Sequence, residues 1–338
     1  MKIILSHDSA LEYWRAAPTG LLAQARPSQV QGLPDRLPGT SELADAMQGV
    51  GFNPTLPVHV IVPSQSRRRS TQLLRCHSHG GPLPKGSLMR IDDRIGVVSP
   101  ELCLLQMASS LSLPQLIRTG CDLCGSYADV GEIRYGCQPV TSPAKIEAFV
   151  QRAEGMHGIK PLRRALPHIL ADSASPMETA LALLLSLPCS LGGYGLPKPQ
   201  MNRRVDVGRR QKDLASQSFY RCDLYWKGAG KDEGVAIEYD SEQFHAGPDK
   251  EAHDAQRRNE LSALKVKPLT VKAETVYDWH KLDTTAKDTA KLLGWRMQPQ
   301  CKDYLQRQLS LRRILLDEAE RPPQKRMGDL AGTSTRKA

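Results

Sequence analysis

The sequence predicts an α+β chain of two domains, and three observations carry that expectation. Short β-branched and apolar runs, Val58–Val62 the clearest, alternate with helical stretches along the chain. Two helix starts are written in full: Ser99-Pro100-Glu101 and Ser175-Pro176-Met177-Glu178. Each has an N-cap serine, a proline at the first helical position and an acid near the positive end. From residue 175 onward the order reads helix, three strands, helix, strand, a different texture from what precedes it. The break Asp172-Ser173-Ala174-Ser175 marks the domain boundary.

Residues 1–56 read as a poorly defined segment. His7-Asp8-Ser9-Ala10 caps a short helix through Trp14, a second helix covers Ser41–Met47, and prolines punctuate the rest. Residues 57–171 read as an α+β domain with a helical connector. Its strands are Val58–Val62, Leu73–His79, Ser87–Ile91 and one beginning at Gly96; its helices start at Ser99, Leu113, Pro143 and Ile159. Arg67, Arg68 and Arg69 lie on the first strand connection, where both phosphate contacts and a solvated charged loop are open readings. Arg163 and Arg164 make the last helix a basic rod.

In residues 175–295 an apolar helix is followed by Gly192-Gly193-Tyr194-Gly195, which has no Lys-Ser/Thr and reads as a turn. A strand over Gln200–Val207 leads to a basic patch at Arg209, Arg210 and Lys212. Then come the strands Cys222–Trp226 and Val235–Tyr239, a helix over Lys250–Leu264, a strand at Lys267–Val271, and helices at Thr275–Leu282 and Thr285–Leu293. The tail, 322–338, is Lys/Arg/Gly-rich and reads as disordered.

The acids in the middle of this domain carry the chemistry. Asp223 lies in one apolar strand, Glu238 and Asp240 at the end of the next. A carboxylate beside Val, Ile and Trp loses hydration and needs a cation or a paired charge. Strand alternation puts Glu238 and Asp240 on one face. With Asp223 alongside, oxygen donors converge as a hard-cation site for Mg2+ or Mn2+. Spacing alone leaves this and solvent-facing strand ends equally open.

Composition bounds the partners. The chain has 338 residues and a net charge of +10, from 46 Lys and Arg against 36 acids, a bias that favours a polyanion such as DNA. No apolar run reaches bilayer length, the N-terminus is too short in apolar core for a signal peptide, and eight irregular cysteines make no disulfide scaffold. The expected compartment is cytoplasmic, with no membrane partner. A zinc site on Cys121-x-x-Cys124 is rejected for want of a second paired knuckle.

The order α-β-β-β-α-β, with Glu178, Asp223 in CDLYW, Glu238 and Asp240 in IEYDSEQFH, His245, and Asp254 with Arg257, resembles the Vsr-like endonuclease domains. These belong to the PD-(D/E)XK, restriction-endonuclease-like superfamily. The resemblance implies a metal-dependent endonuclease acting on phosphodiester bonds, with DNA as substrate, in phage defence, toxin–antitoxin function or repair. It implies Asp223 and Glu238 as metal ligands assisted by Asp240, and Glu178 holding a metal-bound water or a second ion. His245 would be a general acid or base, and Arg257 a phosphate holder or a partner of Asp254. The usual lysine after the Glu is Asp240 here, so the general base is not carried over. Residues 57–155, with VHVIVPSQSRRR, His77, His79 and VVSPELCLLQMA, resemble the middle region of AbiEi-type antitoxins. That implies a cognate toxin or other protein as a partner. The family's winged helix is not visible, so operator binding is not carried over. The alternative functions are a non-catalytic DNA-binding regulator on the same scaffold and a protein-interaction module.

Overall fold

A computed structural model of the chain describes residues 3–28, 32–208, 216–228, 234–240, 248–299, 301–316 and 326–327, with backbone alone for 248–254. The fold is α+β with mixed sheets. It divides into two compact units, residues 1–169 with 320–338 and residues 170–319.

The first unit is built on a six-stranded sheet. Its strands are β1 (Ile3–Leu5), β2 (Arg26–Pro27), β3 (Val58–Val62), β4 (Leu74–Ser78), β5 (Leu88–Arg90) and β6 (Ile95–Val98), in the order β2-β5-β6-β1-β3-β4. All residues of β1, β3 and β6 are buried, which is why these segments are apolar almost throughout rather than alternating, His59 being the polar exception. The segment that sequence left undefined therefore supplies a central strand: β1 runs parallel to β6 (Ile4↔Gly96) and antiparallel to β3 (Leu5↔Val60). Three residues are too few to show a period, and their strand character comes from the two neighbours. The helix α1 (His7–Ala16) follows at once, and α2 (Thr40–Gly49) precedes β3. Ser99 caps α3 (Pro100–Met107) by accepting the N–H of Leu102 at 3.2 Å. The helix α4 (Leu113–Leu123), a small hairpin of β7 (Tyr127–Asp129) and β8 (Ile133–Tyr135), α5 (Pro143–Arg152) and α6 (Ile159–Ala165) complete the unit. Arg326 and Met327, in the stretch expected to be disordered, belong here: Met327 N–H donates to Pro54 O at 3.0 Å, and Thr55 bridges Arg326.

The second unit shows the expected order, with α7 (Pro176–Ser186), β9 (Gln200–Asp206), β10 (Phe219–Lys227), β11 (Gly234–Asp240), α8 (Pro248–Ala263) and β12 (Val266–Lys272). The sheet runs β12-β11-β10-β9, antiparallel from β9 to β11 and parallel between β11 and β12. The parallel pair needs a crossover, which α8 provides. In α7 every residue from Glu178 to Leu185 is buried, and each Leu contributes about 2 kcal/mol. Tyr220, Cys222, Ala236, Leu261 and Val266 make a core between sheet and α8. At its rim the buried Glu260 accepts from Tyr220 Oη at 2.5 Å, Ser216 N at 3.0 Å and Gln256 Nε2 at 2.9 Å.

Three further helices, α9 (Ala273–Tyr277), α10 (Trp279–Leu293) and α11 (Tyr304–Leu316), close the unit. The expected break near residue 284 falls instead at Asp278, whose carboxylate caps α10 by accepting the N–H of Lys281 at 3.0 Å. Residues beyond 295 are also part of the unit: Arg307 donates to Ser190 O at 2.8 Å and Arg312 to Val276 O at 2.7 Å. Gly192–Gly195 is the turn expected, and glycine is required at 193, where a Cβ would collide with the carbonyl of Leu187.

Candidate functional site

Glu178 is placed by the first turn of α7. Its N–H is taken by Ser175 Oγ at 3.1 Å, and its own Oε2 accepts the N–H of Ala174 at 3.0 Å, a reciprocal cap. Asn202 Nδ2 donates to the same Oε2 at 2.8 Å and to Asp172 O at 2.9 Å. Asn202 has a left-handed backbone (φ 47), which asparagine tolerates better than most residues. The flanking pairs Cys222↔Arg203 and Leu224↔Met201 set it across from Asp223. Sequence reasoning missed Asn202, because one asparagine inside QMNRRV carries no motif.

Asp223 stands where regular β10–β11 pairing ends, after Leu224↔Ile237. Its Oδ2 accepts the N–H of Tyr239 at 2.8 Å, doing what a strand carbonyl would otherwise do. Burial first, then the negative charges of Glu238 and Glu178, push its pKa up to about 7.

Glu238 is half-buried, and burial raises its pKa against the opposing pull of Arg257. Arg257 Nη2 on α8 lies 2.8 Å from Glu238 Oε2 and donates to Arg221 O at 2.6 Å. The other oxygen, Glu238 Oε1, is buried with no nitrogen or oxygen donor, and only the weakly donating Cys222 thiol interacts with this carboxylate beside Arg257. Beside it the Cys222 thiol is pushed up to about 12 by burial and by Glu238. Asp240, two residues on, is half-exposed and paired in register with Lys272.

Three of the anticipated acids therefore sense one another, with Arg257 as the nearby cation. Among the described residues, however, no three His, Cys, Asp or Glu side chains stand as ligands of one ion. The expected convergence of Asp223, Glu238 and Asp240 on one point is not reached by the side chains as they stand. The reason is local: Asp223 is drawn to the Tyr239 amide and Glu238 to Arg257. Two observations still fit a cation here, the orphaned Glu238 Oε1 and the raised pKa of Asp223, since positive charge relieves both. Arg257 pairs with Glu238. The side chain of Asp254, its alternative partner, lies outside the described residues, as do His245, Arg209, Arg210 and Lys212.

Arg67, Arg68 and Arg69 are exposed around the turn between β3 and β4, and Arg68 Nε donates to Cys76 O at 3.1 Å. Arg163 and Arg164 are exposed on α6, with Arg163 Nη2 3.5 Å from Glu154. Cys121 and Cys124 are buried. No helix among the described residues is long and apolar enough to cross a membrane.

Among known proteins the chain is similar to the uncharacterized proteins MT2308 and Rv2248 of Mycobacterium tuberculosis, from strains CDC 1551 / Oshkosh and ATCC 25618 / H37Rv. Each is 25% identical over 221 residues, 65% of this chain and 69% of the relative. No protein-family model matches the chain. No solved structure matches it.

Proposed function

We propose that the second unit is a Vsr-like, metal-dependent endonuclease of the restriction-endonuclease-like superfamily, hydrolysing phosphodiester bonds in DNA. The observation that carries the reading is the orphaned Glu238 Oε1 beside Asp223, whose proton affinity is raised by burial first and then by two neighbouring carboxylates. Such a site is costly in an apolar sheet unless a cation is to be held. The α-β-β-β-α-β order supports it.

Asp223 and Glu238 would hold Mg2+ or Mn2+, with Asp240 assisting. The ion supplies Lewis acidity for the phosphate and the attacking water. Glu178 fixes the helix end against Asn202 and thereby positions the sheet acids. Arg257 opposes the rise that burial imposes on the Glu238 pKa and is placed to approach a phosphate. His245 is the proposed proton-transfer group. The first unit is proposed as an AbiEi-like recognition module for DNA, a toxin or another protein, in a cytoplasmic setting.

Supercoiled plasmid incubated with magnesium, manganese or excess chelator, with wild type and Asp223→Ala, tests the reading. Cleavage is expected with either ion, and none with chelator or with the variant. Cleavage in chelator would sink it. A second reading, a DNA-binding regulator with an idle site, is favoured by one observation: Glu178 Oε2 already accepts twice, from the Ala174 amide and from Asn202 Nδ2. Binding without cleavage in any metal would select it. Both readings use Arg67–Arg69, Arg163, Arg164, Arg209, Arg210 and Lys212 against phosphates. DNA affinity is therefore expected to fall tens-fold or more between about 50 and 200 mM salt, measured by fluorescence anisotropy. A flat salt response would exclude a nucleic-acid role for these residues.

A further inference from the structure

The first unit carries a site of which this proposal uses only Arg68. β3 and β4 pair in parallel, and α1 begins beside them, so residues distant in sequence meet. The rings of His7 and His77 stack with centroids 3.5 Å apart and planes 14° from parallel. His59 Nδ1 stands 3.3 Å from His77 Nε2 and 3.0 Å from Asp8 Oδ2. His7 is held at φ 47, its N–H bonded to Gln106 Oε1 at 3.0 Å. Backbone strain of this kind persists only where surrounding structure enforces it. Burial first, then the neighbouring imidazoles, push His7 down to about 3. Burial, His59 and nearby arginines push His77 down to about 4, so both rings are neutral at neutral pH.

Beside these rings opens a cavity of about 450 Å³, a size typical of small-molecule sites. Its lining includes the polar side chains of Arg68, His77 and His79. It also includes the apolar side chains of Leu102, Leu105 and Met156. No carboxylate lines it among the described residues. The bond from Arg68 Nε to Cys76 O anchors the guanidinium. His79 Nε2 is buried with no hydrogen-bond partner, a group that calls for one.

We propose that this cavity binds a small organic anion, its phosphate or carboxylate head held by Arg68, His77 and His79 and its apolar body against Leu102, Leu105 and Met156. The guanidinium fork matches either oxyanion. The imidazoles supply N–H donors without needing charge. The apolar side chains give an organic ligand what inorganic phosphate cannot use. Arg68 thereby acquires a role different from that of Arg67 and Arg69 on the same turn.

Calorimetric titration of the full chain with phenyl phosphate, benzoate and inorganic phosphate tests this. An organic anion is expected to bind with a sub-millimolar Kd, inorganic phosphate about tenfold more weakly. A preference for phenyl phosphate assigns a phosphate head, a preference for benzoate a carboxylate. Arg68→Gln is expected to weaken binding about tenfold or more, and Arg67→Gln to leave it unchanged. Ser109 is exposed at the cavity wall, so Ser109→Asp adds a charge without removing a packed group. It is expected to abolish binding while the thermal melt stays that of wild type, and it serves even if Arg68→Gln fails to fold. The proposal is overturned by no saturation below ~10 mM of any probe. It is overturned equally by Ser109→Asp binding as wild type, by equal losses from Arg67→Gln and Arg68→Gln, or by saturation with zinc or nickel and not with anions. None of these outcomes depends on nuclease activity.

Discussion

Asp223→Asn is expected to abolish plasmid cleavage, a loss of ~10³-fold or more, and at the same time to make the second unit more stable above neutral pH. The two effects have one cause. The carboxyl of Asp223 has a folded pKa of about 7 against an ordinary 3.8. The folded state therefore binds this proton more tightly than the unfolded chain. Stability falls as pH rises from about 4 to 7 and stays at the lower level above it. An amide has no charge to desolvate, so the variant should gain about 2–4 kcal/mol over wild type at pH 8 and almost nothing at pH 4. Denaturant melts at the two pH values, without metal, read this directly. A variant less stable than wild type at pH 8 would mean that Asp223 is structurally satisfied and not held for a cation. Saturating magnesium should shrink the gap by stabilising wild type alone.

Arg257→Met is expected to act in the opposite sense. It removes the cation that faces a half-buried carboxylate, at a cost of about 3 kcal/mol near pH 8. Glu238 already has a raised pKa, and without Arg257 that pKa rises further. Its ionisation then weighs against folding from the unfolded value upward, so the loss should be large at pH 8 and small at pH 5. The guanidinium also lies 5.7 Å from the centroid of the Tyr220 ring. If the loss is the same at both pH values, Arg257 serves by packing and not by charge.

Legibility varied with the length of the local signal. VHVIV and VAIEY read as strands because each is a buried run with turn residues beside it. Ser99 and Ser175 fixed two helix starts through chemistry confined to four residues. Ile3–Leu5 and Arg26–Pro27 are strands only because longer strands lie next to them. Tyr304–Leu316 was missed because Gln and Arg dilute its apolar stripe, although Asp278-x-x-Lys281 was a readable cap one helix earlier. The acids of the sheet were legible as anomalies, since charge inside apolar strands demands a reason. Their actual partners were not: Asn202 comes from a neighbouring strand, and the Tyr239 amide has no signature. The histidine cluster joins residues some seventy positions apart through β1, β3 and β4, a closure that no local pattern announces.

The close approach at Gly192, where a Cβ would collide with the carbonyl of Arg307, has a wider consequence. The turn after α7 is clamped from outside by α11: Arg307 holds Ser190 O and Cys301 Sγ lies 3.1 Å from Cys189 O. The helix that presents Glu178 is thus anchored at its far end by the last helix of the unit. Cutting the chain after residue 295, where sequence patterning ends the domain, would leave every acid in place and remove the abutment behind them. Such a fragment would keep the acids and lose the helix packed against the turn behind α7, so a fragment made to test this unit should run through residue 316.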